Sequence, residues 1–216
     1  MKEKISPFIV FGFFGALASI LLIVLFGTIG VEEVILSDSV SAATSSNVAV
    51  TAEVTTTITC DSSPGSTAFG TLSSTVTSTA SPNASTTMAC ANSGTGCVLY
   101  VKDAGNTASS GLATSSPAYL IPSPNAAANA STTLVAGTEG YGIQATTTSA
   151  GLTIDSRYDQ TGDIVGGLSL TDIIIASSTA DITDAEVIVT HMAAISEATP
   201  PGIYEDTITY SCLVND

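Results

Sequence analysis

From Val48 onward the chain alternates: Val48, Val50, Ala52, Val54, Thr56, Ile58 and Cys60 occupy every second position, with small or polar residues between them. A period of two marks a strand with one buried face, because successive side chains leave a strand on opposite sides. The closing segment repeats the pattern, with Tyr204, Asp206, Ile208, Tyr210, Cys212 and Val214 on one face and Glu205, Thr207, Thr209 and Ser211 on the other. Asp206 alone is out of character on the inner face. Further strands are expected over 86–90, 97–102, 132–136, 140–146, 152–158, 168–175 and 186–195, separated by clusters such as Asn92-Ser93-Gly94, Ser123-Pro124-Asn125 and Pro200-Pro201-Gly202. The stretch 183–194 also has a helical reading, but Val187, Ile188, Val189 and Thr190 are β-branched in succession and decide for a strand. Many short strands at this spacing predict an all-β chain, an Ig-like antiparallel β-sandwich.

Ahead of this region, residues 7–30 form an almost unbroken apolar run, preceded by Lys2 and Lys4 and followed by Glu32, Glu33 and Asp38. About 20 apolar residues rising 1.5 Å each span roughly 30 Å of hydrocarbon as a helix. The basic flank keeps the N-terminus inside and sends the remainder across. Residues 1–42 are therefore expected to be a signal peptide or transmembrane signal anchor, and residues 43–216 a disulfide-stabilised domain that it exports. Val40-Ser41-Ala42 offers the small residues of a signal peptidase site, which favours cleavage after Ala42. Left uncut, residues 8–30 anchor the domain to the membrane. Both outcomes place it outside the cytoplasm, in the extracellular space or at the cell surface.

Beyond residue 42 there are fifteen acidic side chains and two cations, Lys102 and Arg157, for a net charge of about −13. Nucleic acid and anionic membrane surfaces are bound by neutralising phosphates with Lys and Arg, so neither is an expected partner. The membrane is met only through the N-terminal helix. His191, the sole histidine, lies mid-strand in Val189-Thr190-His191-Met192, and no G-x-S-x-G nucleophile elbow is present. It is expected to face a loop or solvent, and the chain is read as a non-enzyme without a cofactor. Asp155, Asp159 and Asp163, with Gln160 and Gly162, are the calcium candidates, although they lack EF-hand spacing. A surface carbohydrate- or calcium-binding adhesion module is thus the alternative reading. Asn83-Ala84-Ser85 and Asn129-Ala130-Ser131 are glycosylation sequons.

Four cysteines, Cys60, Cys90, Cys97 and Cys212, in an exported domain read as two disulfides with three possible connectivities. Cys90 and Cys97 flank a glycine-containing turn that would set them opposite each other in a hairpin. Cys60 ends the first strand and Cys212 lies near the end of the last, and first and last strands are often neighbours in Ig-like sandwiches. Spacing therefore favours Cys90–Cys97 with Cys60–Cys212. A zinc site is disfavoured, because zinc ribbons use C-x2-C to C-x4-C knuckles where this chain has C-x6-C.

Cys60, then Phe69-Gly70-Thr71-Leu72, then Thr86-Thr87-Met88-Ala89-Cys90 resembles the opening of spore coat protein U domains, secreted relatives of chaperone-usher pilins. The close, Pro200-Pro201-Gly202-Ile203-Tyr204-Glu205-Asp206-Thr207, looks like that family's P-x-G-x-Y-x-D-T final strand. The likeness covers the two ends of the domain; Cys97, Cys212 and the long 114–184 middle depart from it. It implies an Ig-like sandwich used in surface fibres or coats, assembly by exchange of a β-strand, and pairing of the first two cysteines, here Cys60 with Cys90. The expected function is an exported cell-surface or fibre/coat structural subunit whose partners are itself, other surface proteins or surface polysaccharide. Residues 43–54 are the strand-exchange candidate, with Val48, Val50 and Val54 as the apolar side chains that would enter a sheet edge.

Overall fold

The computed structural model describes residue 46, residues 48–123 and residues 131–215. The apolar run 8–30, the cleavage position at Ala42 and the Asn129 sequon lie outside the described residues. Thr51–Asp216 forms one compact unit. Its strands follow the alternating segments: β1 Thr57–Ser63, β2 Ser78–Thr79, β3 Ala84–Ala91, β4 Cys97–Asp103, β5 Gly111–Ser115, β6 Ala118–Pro122, β7 Ser131–Thr133, β8 Gly140–Thr146, β9 Leu152–Ile154, β10 Ile164–Gly166, β11 Ile173–Ser178, β12 Ile182–Ala194 and β13 Ile208–Val214. No helix occurs among the described residues.

The strands form two main antiparallel sheets. The larger runs β1-β3-β12-β8-β10-β7, with β2 also paired to β12; the smaller runs β13-β4-β11-β9; β5 and β6 make a separate hairpin. Period-two burial is clearest in β3, where Ala84, Thr86, Met88 and Cys90 are buried and the residues between them are half-buried. Met88, Ile143, Val187 and Val189 from the larger sheet share one core with Leu99, Val101 and Ile175 from the smaller, a sandwich-like arrangement. Parity also explains the second half of β12, where Met192 and Ala194 turn to the opposite face and pack with Leu134 and Val165. The β-branched run of β12 does form a strand, flanked by β3 over residues 182–189 and by β8 over residues 188–194.

Several segments differ from the sequence-based expectation. The alternation that starts at Val48 becomes a strand only at Thr57, and Val48, Val50 and Val54 are 83%, 88% and 76% exposed outside any strand. β1 itself buries neither face, since all seven of its residues are exposed. It is an edge strand held through its ladder to β3, Thr57 opposite Ala91 to Ser63 opposite Ser85. The 152–158 and 168–175 strands are shorter than expected. After Ile154 the chain makes a turn closed by Tyr158 and Asp159 N–H groups on the Asp155 carbonyl, and β11 begins only at Ile173. The β5–β6 hairpin had no counterpart in the expected strands.

One glycine is required by packing. A Cβ on Gly166 would overlap the ring of Tyr158. That ring is fully buried and its hydroxyl donates to the Gly167 carbonyl at 2.9 Å.

Candidate functional site

β1 and β13 are edge strands, one in each main sheet, and no ladder joins them. They are tied by the Cys60–Cys212 disulfide, across which the Cα atoms are 5.7 Å apart. The second disulfide, Cys90–Cys97, closes the turn between β3 and β4. A cleft of about 1060 Å3 opens between the segments 64–72 and 199–208. Its apolar lining includes Phe69, Leu72, Leu112 and Ile195, and its polar lining includes Tyr141, His191, Asp206 and Tyr210.

The lining is set by strand parity. His191 is on the inner face of β12, two residues beyond Val189, and is 4% exposed, so the expectation that it faces a loop or solvent is corrected. The Tyr141 hydroxyl lies 3.1 Å from its Nδ1 and the Tyr210 hydroxyl 3.4 Å from its Nε2. A neutral imidazole donates from one ring nitrogen and accepts at the other, so it suits two hydroxyl partners. Burial, partly opposed by the charge of Asp206, lowers the His191 pKa to about 4. Tyr141 stacks on the imidazole with ring centroids 6.1 Å apart, and Phe69 meets Tyr141 edge-on.

Beside this group lies a pair of carboxyls. Asp103, at the end of β4, is fully buried and accepts the Gly105 and Gly111 N–H groups. Asp206, on the segment leading into β13, accepts at Oδ1 from the N–H of Thr207 at 2.7 Å and of Gly105 at 3.2 Å, while its buried Oδ2 receives no N–H or hydroxyl. The Gly105 N–H is shared by Asp103 Oδ1 and Asp206 Oδ1, which places the two carboxyls side by side, and a proton held on Asp103 supplies the hydrogen-bond donor that Asp206 Oδ2 otherwise lacks. Burial first, then the hydrogen bond and charge of Asp206, raise Asp103 to about 8 against the two glycine N–H donors. Burial, and after it the charges of Asp206 and Asp103, push Tyr141 upward as well.

These shifts give a stability profile. Folded Asp103 keeps a proton that the unfolded chain releases near pH 3.8, so its contribution falls as pH rises toward 8. Folded His191 lacks a proton that the unfolded chain binds below pH 6.5, so its contribution rises from about pH 4 to 6.5. The two oppose each other up to pH 6.5, and Asp103 acts alone above it. Urea denaturation is expected to show stability falling from pH 6.5 to 8, by at most about 1.4 kcal/mol per pH unit for one proton. Asp103→Asn should remove that fall. A wild-type profile that is level or rises over this range overturns the pairing.

The calcium candidates are not brought together. Asp155 accepts the Arg157 N–H at 2.9 Å and lies 3.9 Å from its guanidinium, and Asp163 accepts from the Thr77 hydroxyl at 2.6 Å. Among the described residues no three His, Cys, Asp or Glu side chains gather around a point that could hold a metal. Asn83 is exposed at the entry to β3. Asp103 and Tyr141 were not singled out from sequence; the signal was Asp206, an acid at the inward parity of an apolar strand that needs a buried partner. In comparisons with known proteins, no family model, no curated protein and no solved structure matches the chain.

Proposed function

We propose that the chain is a non-enzymatic structural subunit of a cell surface, fibre or coat, an exported Ig-like sandwich that assembles by adding its Val48–Val54 segment to a sheet edge of a neighbouring copy. The observation that carries this reading is the exposure of three valines spaced for one face of a strand, on a segment that makes no ladder of its own. Soluble chains seldom leave such a row uncovered, and an extended apolar segment is matched by an unpaired sheet edge. Among the described strands, β1 and β13 each end their sheet with one edge unpaired, and both contribute residues to the cleft lining. Two disulfides suit an oxidising compartment outside the cytoplasm. A hydrolytic role for His191 is disfavoured, because tyrosine hydroxyls face both ring nitrogens and, among the described residues, no serine or cysteine nucleophile is placed on them.

Deleting residues 43–51 is expected to leave a folded domain that elutes as a monomer on size exclusion, while the full chain forms higher assemblies. Assemblies of unchanged size after the deletion reject strand addition by this segment.

A further inference from the structure

The carboxyl pair lies where its charge state bears on the shape of the cleft. Asp206 sits on the stretch 199–207 that forms one wall, and its partner Asp103 is fixed on β4. Backbone contacts complete the attachment: Ala104 N–H to the Thr207 carbonyl at 3.0 Å, and a bridge between Glu205 and Ala113 at 2.8 and 3.0 Å. At the tip of the wall Pro201, Gly202 and Ile203 are exposed, Ile203 by 80%.

The titratable groups facing the pair are Tyr141 from β8, His191 from β12 and Tyr210 from β13, with Tyr158 beyond Tyr210. None of them brings a positive charge, since the buried imidazole is neutral and the tyrosines are held protonated. Lys102 points outward into solvent and Arg157 lies over the Tyr158 ring. Among the described residues no cation in the site therefore compensates a second carboxylate, only backbone N–H donors, and like charges at close range in a poorly solvated site repel.

We propose that the Asp103–Asp206 pair is a proton-held latch, which keeps the 199–207 wall closed against β4 while one proton is shared and releases it when that proton is lost. The proton leaves the carboxyl for water; no covalent bond of the chain changes. Release moves Asp206 away from Asp103, breaks its contact with the Gly105 N–H and widens access to Tyr141 and His191. The latch is independent of how subunits assemble.

Millisecond hydrogen exchange on the full-length chain, corrected for the intrinsic pH dependence of exchange, tests it between pH 6 and 9. Amides of segments 103–111 and 199–208 are expected to lose at least tenfold in protection as the pH passes about 8, while those of β3 and β12 keep theirs. In Asp206→Asn the amide donates to the Asp103 carboxylate and replaces the proton, so protection of both segments should persist to pH 9. Asp103→Asn should behave alike and serves if the first variant does not fold. Uniform loss across the domain, pH-independent protection of the wall in the wild type, or the same loss in a folded Asn variant each overturn the latch.

Discussion

Replacing Cys60 and Cys212 together by serine is expected to lower the stability of the oxidised domain by about 4 to 5 kcal/mol, a large share of the roughly 5 to 15 kcal/mol that holds a domain folded. The bridge spans 152 residues of sequence, so its absence returns nearly the whole chain's closure entropy to the unfolded state. The Cys90–Cys97 bridge spans only 7 residues, and the same chain-entropy relation gives roughly 2 kcal/mol for its removal. The first bridge also has a local task. β1 is exposed along its length and, among the described residues, paired only to β3, so the Cys212 sulfur is its disulfide tie to the smaller sheet. Urea denaturation of the two double-serine variants measures the difference directly. Equal losses for the two bridges would show that closure of the long loop is not what Cys60–Cys212 contributes.

Tyr158→Ala is expected to cost about 3 to 5 kcal/mol, the range for truncating a buried aromatic side chain. The upper part of that range applies, because the ring rests on the bare backbone of Gly166, where there is no side chain to relax into the vacated space. Tyr158→Phe separates ring from hydroxyl. It leaves the packing intact and strips the Gly167 carbonyl of its 2.9 Å donor, for a cost of about 1 to 3 kcal/mol. Thermal unfolding of both variants should rank them in that order. A phenylalanine variant as unstable as the alanine one would mean that the hydroxyl, and not the ring, holds the 155–160 turn.

Much of the fold was legible in the sequence because period-two alternation is a local signal. β8 was expected over the residues it occupies, and β3, β4 and β12 differ by a few residues at their ends. Alternation says nothing about what covers a strand, however. Val48, Val50 and Val54 carry the pattern as regularly as Val187 and Val189, yet the first three are exposed and the last two fully buried. The difference lies in partners: β12 is flanked by β3 and β8, while residues 48–54 belong to none of the ladders among the described residues. β5 and β6 escaped notice for a related reason. Gly111-Leu112-Ala113-Thr114-Ser115 is too small and polar to read as a strand, and becomes one by pairing with residues 118–122 and through the Ala113 contact with Glu205. Of the polar cluster only Asp206 was visible as an anomaly. Asp103 ends its strand beside a Gly-Asn turn and resembles any solvated loop acid until folding brings Asp206 against it.

The place of β12 in the larger sheet has a consequence for the order of events during folding. It lies between β3 and β8, which therefore do not touch each other through their ladders. A chain emerging N-terminus first thus carries two strands, residues 84–91 and 140–146, that wait for a common partner completed only at Ala194. Nearly all the ladders of this sheet are long in sequence, a topology that folds in milliseconds to seconds. Until residue 194 is free, the larger sheet lacks its middle, and residues 84–91 and 140–146 have no common strand to pair with.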